Sequence, residues 1–143
     1  MTQSQLMTEK QETQNTNVVR QAYAAFSRGD IAGVLNLVAD DVQWQAVYGT
    51  GAHVPTSGVR HGKAAVAEFF SQVGANVSFS RFDPQHFIAT GDTVVALGHY
   101  TASTPTGKGF DSDFAMVFTL QNNKIVRFQE FCDSAAINAA YTR

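Results

Sequence analysis

Alternation in the last third of the chain constrains the fold more than any other feature. In Phe110–Leu120 one face carries Phe110, Phe114, Met116, Phe118 and Leu120, and the other Asp111, Asp113, Ala115, Val117 and Thr119. In Lys124–Cys132 one face carries Val126, Phe128, Glu130 and Cys132, and the other Ile125, Arg127, Gln129 and Phe131. Thr93–Ser103 is apolar on both faces, with Val95 and Leu97 on one and Val94, Ala96 and Tyr100 on the other. A period of two is the signature of strands. Gly91-Asp92, Pro105-Thr106-Gly107 and Asn122-Asn123 are turn signals between these runs. With shorter strands over about 76–82 and His86–Ala89, they predict an antiparallel meander.

The first half has the period of helices. Val18, Val19, Ala22, Tyr23 and Phe26 form one stripe, and Gly29 stands where a C-cap belongs. Asp30 can cap a second helix whose face is Ile31, Val34, Leu35 and Val38, with Asp40 and Asp41 ending it. Val42, Trp44, Ala46 and Tyr48 then alternate with Gln43 and Gln45 as an early strand. Gly49–Gly58 predicts a ten-residue loop able to cover a site. A third helix follows, with Val66, Phe69, Phe70 and Val73 on one face, and Ser134–Ala140 predicts a short closing helix. Residues 1–14 are polar and rich in Gln and Thr, and predict a tail outside a single domain spanning 15–143. Helices first and hairpins later define an α+β protein, with helices on one face of a curved sheet.

At 143 residues there is room for one core only. The 44% hydrophobic and 15% charged content excludes a disordered chain. A net charge of −2 and isolated basic residues imply neither a nucleic acid nor an anionic membrane as partner. The N-terminus lacks the basic start and apolar run of a signal peptide, and no stretch reaches the ~20 apolar residues of a membrane span. The expected setting is soluble and cytoplasmic. One cysteine, Cys132, excludes a disulfide framework, and the four histidines lack metal-ligand spacing. No cofactor or metal is implied. Gly49-Thr50-Gly51 has neither a phosphate-loop lysine nor a dinucleotide-binding context.

The helix ending in Ser27-Arg28-Gly29-Asp30, the segment Ala39-Asp40-Asp41-Val42 and the last hairpin strand Asn123-Lys124-Ile125-Val126-Arg127-Phe128 resemble the nuclear transport factor 2-like superfamily. Within it the chain is similar to the SnoaL-like branch, which includes ketosteroid isomerases, limonene epoxide hydrolases and polyketide cyclases. The resemblance covers roughly residues 15–140. It implies a cystatin-like cone, a curved antiparallel sheet wrapped around three N-terminal helices with a pocket at the open end. It also implies a homodimer through the sheet's outer face, in agreement with the apolar alternation on both sides of Thr93–Ser103.

The residue sets of the characterised branches do not carry over. The ketosteroid isomerase base corresponds to Ala46, and its oxyanion donors fall near Ala22, with Tyr23 one step away, and near Met116. The epoxide hydrolase Tyr and Asn correspond to Trp44 and Ala46, its Arg and Asp to Leu97 and His99, and its last Asp to Glu130. Glu130 is the sharpest feature. A carboxylate on an apolar strand face loses hydration, its pKa rises, and it becomes a general acid or base. The plainer reading is a structural glutamate. The resemblance points His99 inward, where it would form a relay with Glu130; alone it reads as a core histidine. Trp44 and Tyr48 are placed as pocket aromatics, Trp44 stacking on a flat ligand. Tyr23, Phe26, Phe69, Met116, Phe118, Phe128 and Cys132 complete the expected apolar substrate site. Asp111 and Asp113 read as outward surface charges, and His53 and His61 as loop residues. The expected function is a cofactor-independent acid–base enzyme for an apolar small molecule, of isomerase, cyclase, dehydratase or hydrolase type. The alternative is a non-catalytic binding or dimeric interaction module.

Overall fold

The computed structural model describes residues 2–143. Helix α1 (Gln3–Ser27) begins at Thr2, whose side chain accepts from Gln5 N–H while the Gln5 amide oxygen accepts from Thr2 N–H. This capping box starts the helix inside the segment read as a polar tail, and residues 2–10 are exposed along it. The helix ends as the sequence predicts. Gly29 (φ +75°) turns the chain, Gly29 N–H donates to Phe26 C=O and Asp30 N–H to Ala25 C=O, which together satisfy two orphan carbonyls. Asp30 then accepts from Gly33 N–H at 2.8 Å and starts α2 (Ile31–Leu35). Such a cap stabilises by about 1 kcal/mol.

Helix α2 is shorter than its apolar stripe predicts. Leu37 C=O accepts from Ile125 N–H, and Lys124 Nζ donates to Asn36 C=O, so the chain is drawn into the sheet at Val38. Strand β1 (Val38–Ala46) therefore contains Asp40 and Asp41, which were expected to end the helix. Strand β2 (Gly58–His61), which the sequence reading treats as loop, pairs antiparallel with β1. Helix α3 (Lys63–Asn76) buries Val66 and Phe69. The meander follows: β3 (Ser78–Thr90), β4 (Thr93–Ser103), β5 (Gly109–Gln121) and β6 (Lys124–Phe131), closed by α4 (Ser134–Tyr141). The two short strands expected before Thr93 are one bulged strand, with register shifts at Phe79/Arg81 and Pro84/His86.

The sheet order is β2-β1-β6-β5-β4-β3, and it does not close. Strand β1 runs parallel to β6, and all other neighbours are antiparallel. Asn122 and Asn123, both at positive φ, form the two-residue β5–β6 turn. The curvature has a local cause on β4. Gly98 lies opposite both Pro84 and Phe114, beside the second β3 bulge. Pro84 is tolerated because β3 is an edge strand. The sheet bends around α1 and α3 into the cone, and Val19, Val42, Val66, Val94 and Ala96 are fully buried between the layers. No helix of the described residues is long and apolar enough to cross a membrane.

Candidate active site

The inner face of the sheet is set by register. Ala96, Met116 and Glu130 lie side by side across β4, β5 and β6, with Val94, Phe118 and Phe128 in the next row and Trp44 of β1 beside Phe128. Met116, Glu130, Phe118, Phe128 and Trp44 of these, with Tyr23 and Phe26 of α1 and Phe69 and Phe70 of α3, line a cavity with about 90 Å³ open to the centre of a water-sized sphere. One water needs roughly 10–15 Å³ on that measure, so the space suits a small organic molecule. Its walls are almost wholly aromatic and aliphatic, and Glu130 is the one residue with a carboxyl group among those lining it.

Glu130 is 6% exposed. Tyr100 O–H donates to its Oε2 at 2.7 Å, and Val47 N–H to its Oε1 at 3.3 Å. Burial pushes its carboxyl above the ordinary range, and the two donors pull the other way. Val47 is placed by an uncommon backbone. Its φ of +41° turns the chain off the end of β1, so that its N–H meets the carboxylate and Tyr48 N–H meets Glu130 C=O. A β-branched residue in that region costs about 1–3 kcal/mol, and such strain concentrates at functional sites. Burial and the nearby Glu130 charge raise the Tyr100 phenol far above neutrality, so it is a donor and not a phenolate. Tyr23 is raised for the same reasons, and its O–H rests on Met116 Sδ at 2.9 Å, a weak acceptor. The Trp44 indole N–H has no partner, which in a buried site costs about 1–3 kcal/mol.

The structure thus gathers Glu130, Trp44, Tyr23, Phe26, Phe69, Met116, Phe118 and Phe128 around one cavity, and leaves three expected residues outside it. His99 points to the opposite face, because β4 turns its even-numbered residues inward. Its Nδ1 lies 2.8 Å from Asp113 and its Nε2 2.5 Å from Asp111, and these carboxylates raise its pKa. A His99–Glu130 relay does not form; Tyr100 occupies the position beside the carboxylate. Tyr48 is 54% exposed and packs on Phe131 outside, since the turn at Val47 breaks the alternation that would have carried it inward. Cys132 follows the last residue of β6, half-buried behind Tyr100 and not itself lining the cavity, with its thiol pushed up to about 12, first by burial and then by Glu130. Trp44 does line the cavity, but one ring face is stacked on Phe128 at 4.0 Å instead of being free for a flat ligand.

Tyr100 is the functional candidate that sequence reasoning missed. Its signal was present: a hairpin closing through Pro105-Thr106-Gly107 pairs even positions of β4 with even positions of β5, so Phe114, Met116 and Phe118 carry Tyr100 to their own face. The loop between β1 and β2 also contributes, through buried Thr56. Arg60 holds it by donating to the carbonyls of Pro55, Thr56 and Ser57 while its guanidinium lies over Phe69. Gly51 N–H donates to Asn138 of α4, so the segment is tied at both sides. Among the described residues no group of three His, Cys, Asp or Glu side chains is placed to hold a metal ion.

Comparison with known proteins agrees with this architecture. Residues 19–128 match the SnoaL-like domain family, and the chain belongs to it. The nuclear transport factor 2-like superfamily and the cone are thereby established for this chain. An NTF2-like protein from Burkholderia xenovorans LB400 is 26% identical, with a TM-score of 0.81 over 92% of this chain and 98% of the other. TerC, co-crystallised with polyporic acid, is 27% identical, with a TM-score of 0.77 over 90% and 98%. A putative polyketide cyclase from Xanthomonas campestris pv. campestris, at 20% identity, shares the fold with a TM-score of 0.77 over 92% and 99%. No curated protein matches the chain by sequence.

Proposed function

We propose that the cavity is the active site of a cofactor-independent acid–base enzyme for a mostly apolar small molecule, with Glu130 as the proton-transfer group. The observation that carries this reading is a buried carboxylate of raised pKa at the wall of an aromatic cavity. As a base, Glu130 takes a proton from a substrate carbon or a water. As an acid, it returns that proton to another atom, so isomerisation, cyclisation, dehydration and hydrolysis all fall within its reach. Tyr100 steadies the carboxylate while it is charged. That one similar structure, TerC, was co-crystallised with polyporic acid supports an organic ligand in proteins of this fold. The unpaired thiol of Cys132 supports a reducing, cytoplasmic setting.

The test is proton exchange. Apolar ketones incubated in D2O with the protein are expected to exchange their acidic C–H, and apolar epoxides provide the hydrolytic arm. Acceleration of neither, at any pH where the protein is folded, overturns the catalytic reading in favour of a binding module. The missing isomerase and epoxide hydrolase residue sets, with Ala46 and Leu97 in their places, are what favour that second reading. Tyr100→Phe removes the O–H bond that lowers the Glu130 pKa, so the acid limb of the pH–rate profile is expected to move to higher pH. A limb that stays in place contradicts Tyr100's role.

The reading includes a homodimer through the outer face of the sheet. Val95, Leu97, Ala115 and Val117 alternate outward there, and Ile88 and Phe131 are 53% and 37% exposed beside them. A helix-free sheet face this apolar suits burial against a second copy. Light scattering is expected to give twice 15.5 kDa, and Leu97→Glu to give the monomer mass. A wild-type monomer at micromolar concentration overturns the dimer.

A further inference from the structure

A guest held only by rings is free to turn, so the polar groups of the cavity wall decide how it lies. Most of them are already engaged. Tyr23 O–H rests on Met116, Tyr100 O–H donates to Glu130, and Tyr141 O–H donates to Asn76 C=O at 2.9 Å. The Trp44 nitrogen is closed off from any guest. Thr56 differs from all of these. It lines the cavity and is 4% exposed. Its hydroxyl makes no hydrogen bond within the described residues, and unlike the Trp44 nitrogen it keeps accessible surface. The other Ser and Thr hydroxyls of the β1–β2 loop are spent inside the loop, Thr50 on Val47 C=O at 2.7 Å and Ser57 on Thr50 C=O at 3.2 Å. Buried polar groups are nearly always paired, so a reachable hydroxyl left free at a cavity wall marks where a guest supplies the partner.

The loop holds Thr56 in that wall. Ser57 N–H donates to Val54 C=O at 3.0 Å and closes a turn with Pro55 and Thr56 at its centre. Arg60 takes the three consecutive carbonyls of that turn: Nη2 donates to Pro55 at 3.2 Å, and Nη1 to Thr56 at 3.1 Å and to Ser57 at 3.4 Å. The guanidinium in turn lies over the ring of Phe69, another wall of the cavity, at 5.2 Å. A planar fork of donors suits this task, whereas an ammonium is a point charge without that fixed geometry.

We infer that Thr56 anchors the ligand of this cavity, its hydroxyl bonding a carbonyl or hydroxyl oxygen on an otherwise apolar molecule, and that Arg60 positions it. This rests on the cavity being the small-molecule site proposed above. A hydroxyl both donates and accepts, so either kind of oxygen is served.

Acetophenone and ethylbenzene are similar in shape and differ in the oxygen. Their affinities are measured by titration against wild type, Thr56→Val, Thr56→Ser and Arg60→Lys. Thr56→Val is expected to weaken acetophenone about fivefold and to leave ethylbenzene within about twofold. Thr56→Ser keeps the hydroxyl and is expected to restore acetophenone to within about twofold of wild type. Thr56→Val is also expected to melt no lower than wild type, because the hydroxyl it removes has no partner in the free protein. Arg60→Lys is expected to weaken acetophenone about threefold, and to add nothing once Thr56 is Val, because it acts through Thr56. The inference is overturned if Thr56→Val weakens both probes equally or neither, if serine does not rescue, if the valine variant melts well below wild type, or if the Arg60 and Thr56 losses add in full. Ethylbenzene binding with no role for Thr56 overturns this inference alone. Binding of neither probe at millimolar concentration overturns it together with the small-molecule site. These titrations need no turnover, so their outcome is separate from that of the exchange assay.

Discussion

Replacing Glu130 with Gln is expected to lower proton exchange or hydrolysis by about 10²- to 10⁴-fold, with binding of neutral ligands retained. The amide keeps the shape of the side chain and can still accept from Val47 N–H and face the Tyr100 oxygen, but it cannot carry the proton. The same substitution is expected to make the protein more stable at neutral and alkaline pH. The folded-state pKa of Glu130 is raised, chiefly by burial. Between the unfolded and folded pKa values the native state holds a proton that the unfolded state has lost, so wild-type stability falls as pH rises through that window. A glutamine is neutral throughout. The melting temperatures of variant and wild type should therefore converge in acid, where the glutamate is protonated, and diverge as pH rises. Loss of activity together with a pH-dependent gain of stability is the signature of a buried group kept for its chemistry. Unchanged turnover removes Glu130 from the mechanism, and a difference in melting temperature that is constant with pH contradicts the burial argument.

Gly98→Ala is expected to be the most damaging conservative change in the sheet. A Cβ at this position would lie 2.3 Å from Asp83 C=O, 2.9 Å from Pro84 Cα and 2.5 Å from Phe114 Cζ. Two of these atoms are backbone of the neighbouring strand and cannot rotate away, so β3 must lift off β4 at the bulge that bends the sheet. Overpacking of this kind costs about 3 kcal/mol, or about 10 °C of melting temperature in a domain of this length. Tyr100, two residues further along β4, would lose its aim at Glu130, so activity should fall along with stability. Gly74→Ala is the control. It sits in α3 with nothing within 4 Å of the added methyl, and is expected to stabilise by about 0.5–1 kcal/mol. Equal melting temperatures for Gly98→Ala and wild type would mean that the bend does not depend on the close approach of β3.

Much of the architecture was legible because it is local. The stripe from Val18 to Phe26, the Gly29 stop and the Asp30 start are decided by helical geometry and by which side chains can cap a helix. Asn122-Asn123 turns where it was expected because asparagine tolerates positive φ. The misreadings are non-local. Helix α2 yields to strand pairing at Leu37, a contact with Ile125 that no window around residue 37 contains. In β6, a bulge opposite Thr119–Leu120 puts Ile125 inside with Phe128 and Glu130, against strict alternation. Tyr48 leaves its expected face because one residue, Val47, adopts a left-handed turn.

The carboxylate itself was found from sequence, since an acidic residue on an apolar strand face is conspicuous wherever the strand goes. Its partner was missed because both faces of β4 are apolar, and only the parity of the β4–β5 hairpin, which pairs even positions with even ones, tells the two faces apart. By itself the amino-acid order determined helices before hairpins, the turns that separate the strands, and an acid two residues after Phe128 on an apolar strand; each follows from backbone sterics and side-chain periodicity within a few residues. Only the folded chain decided that the Tyr100 O–H, and not the His99 ring, meets that acid, and that Tyr48 leaves for the outer face. Those outcomes depend on how three strands and two helices distant in sequence come into register around a common space.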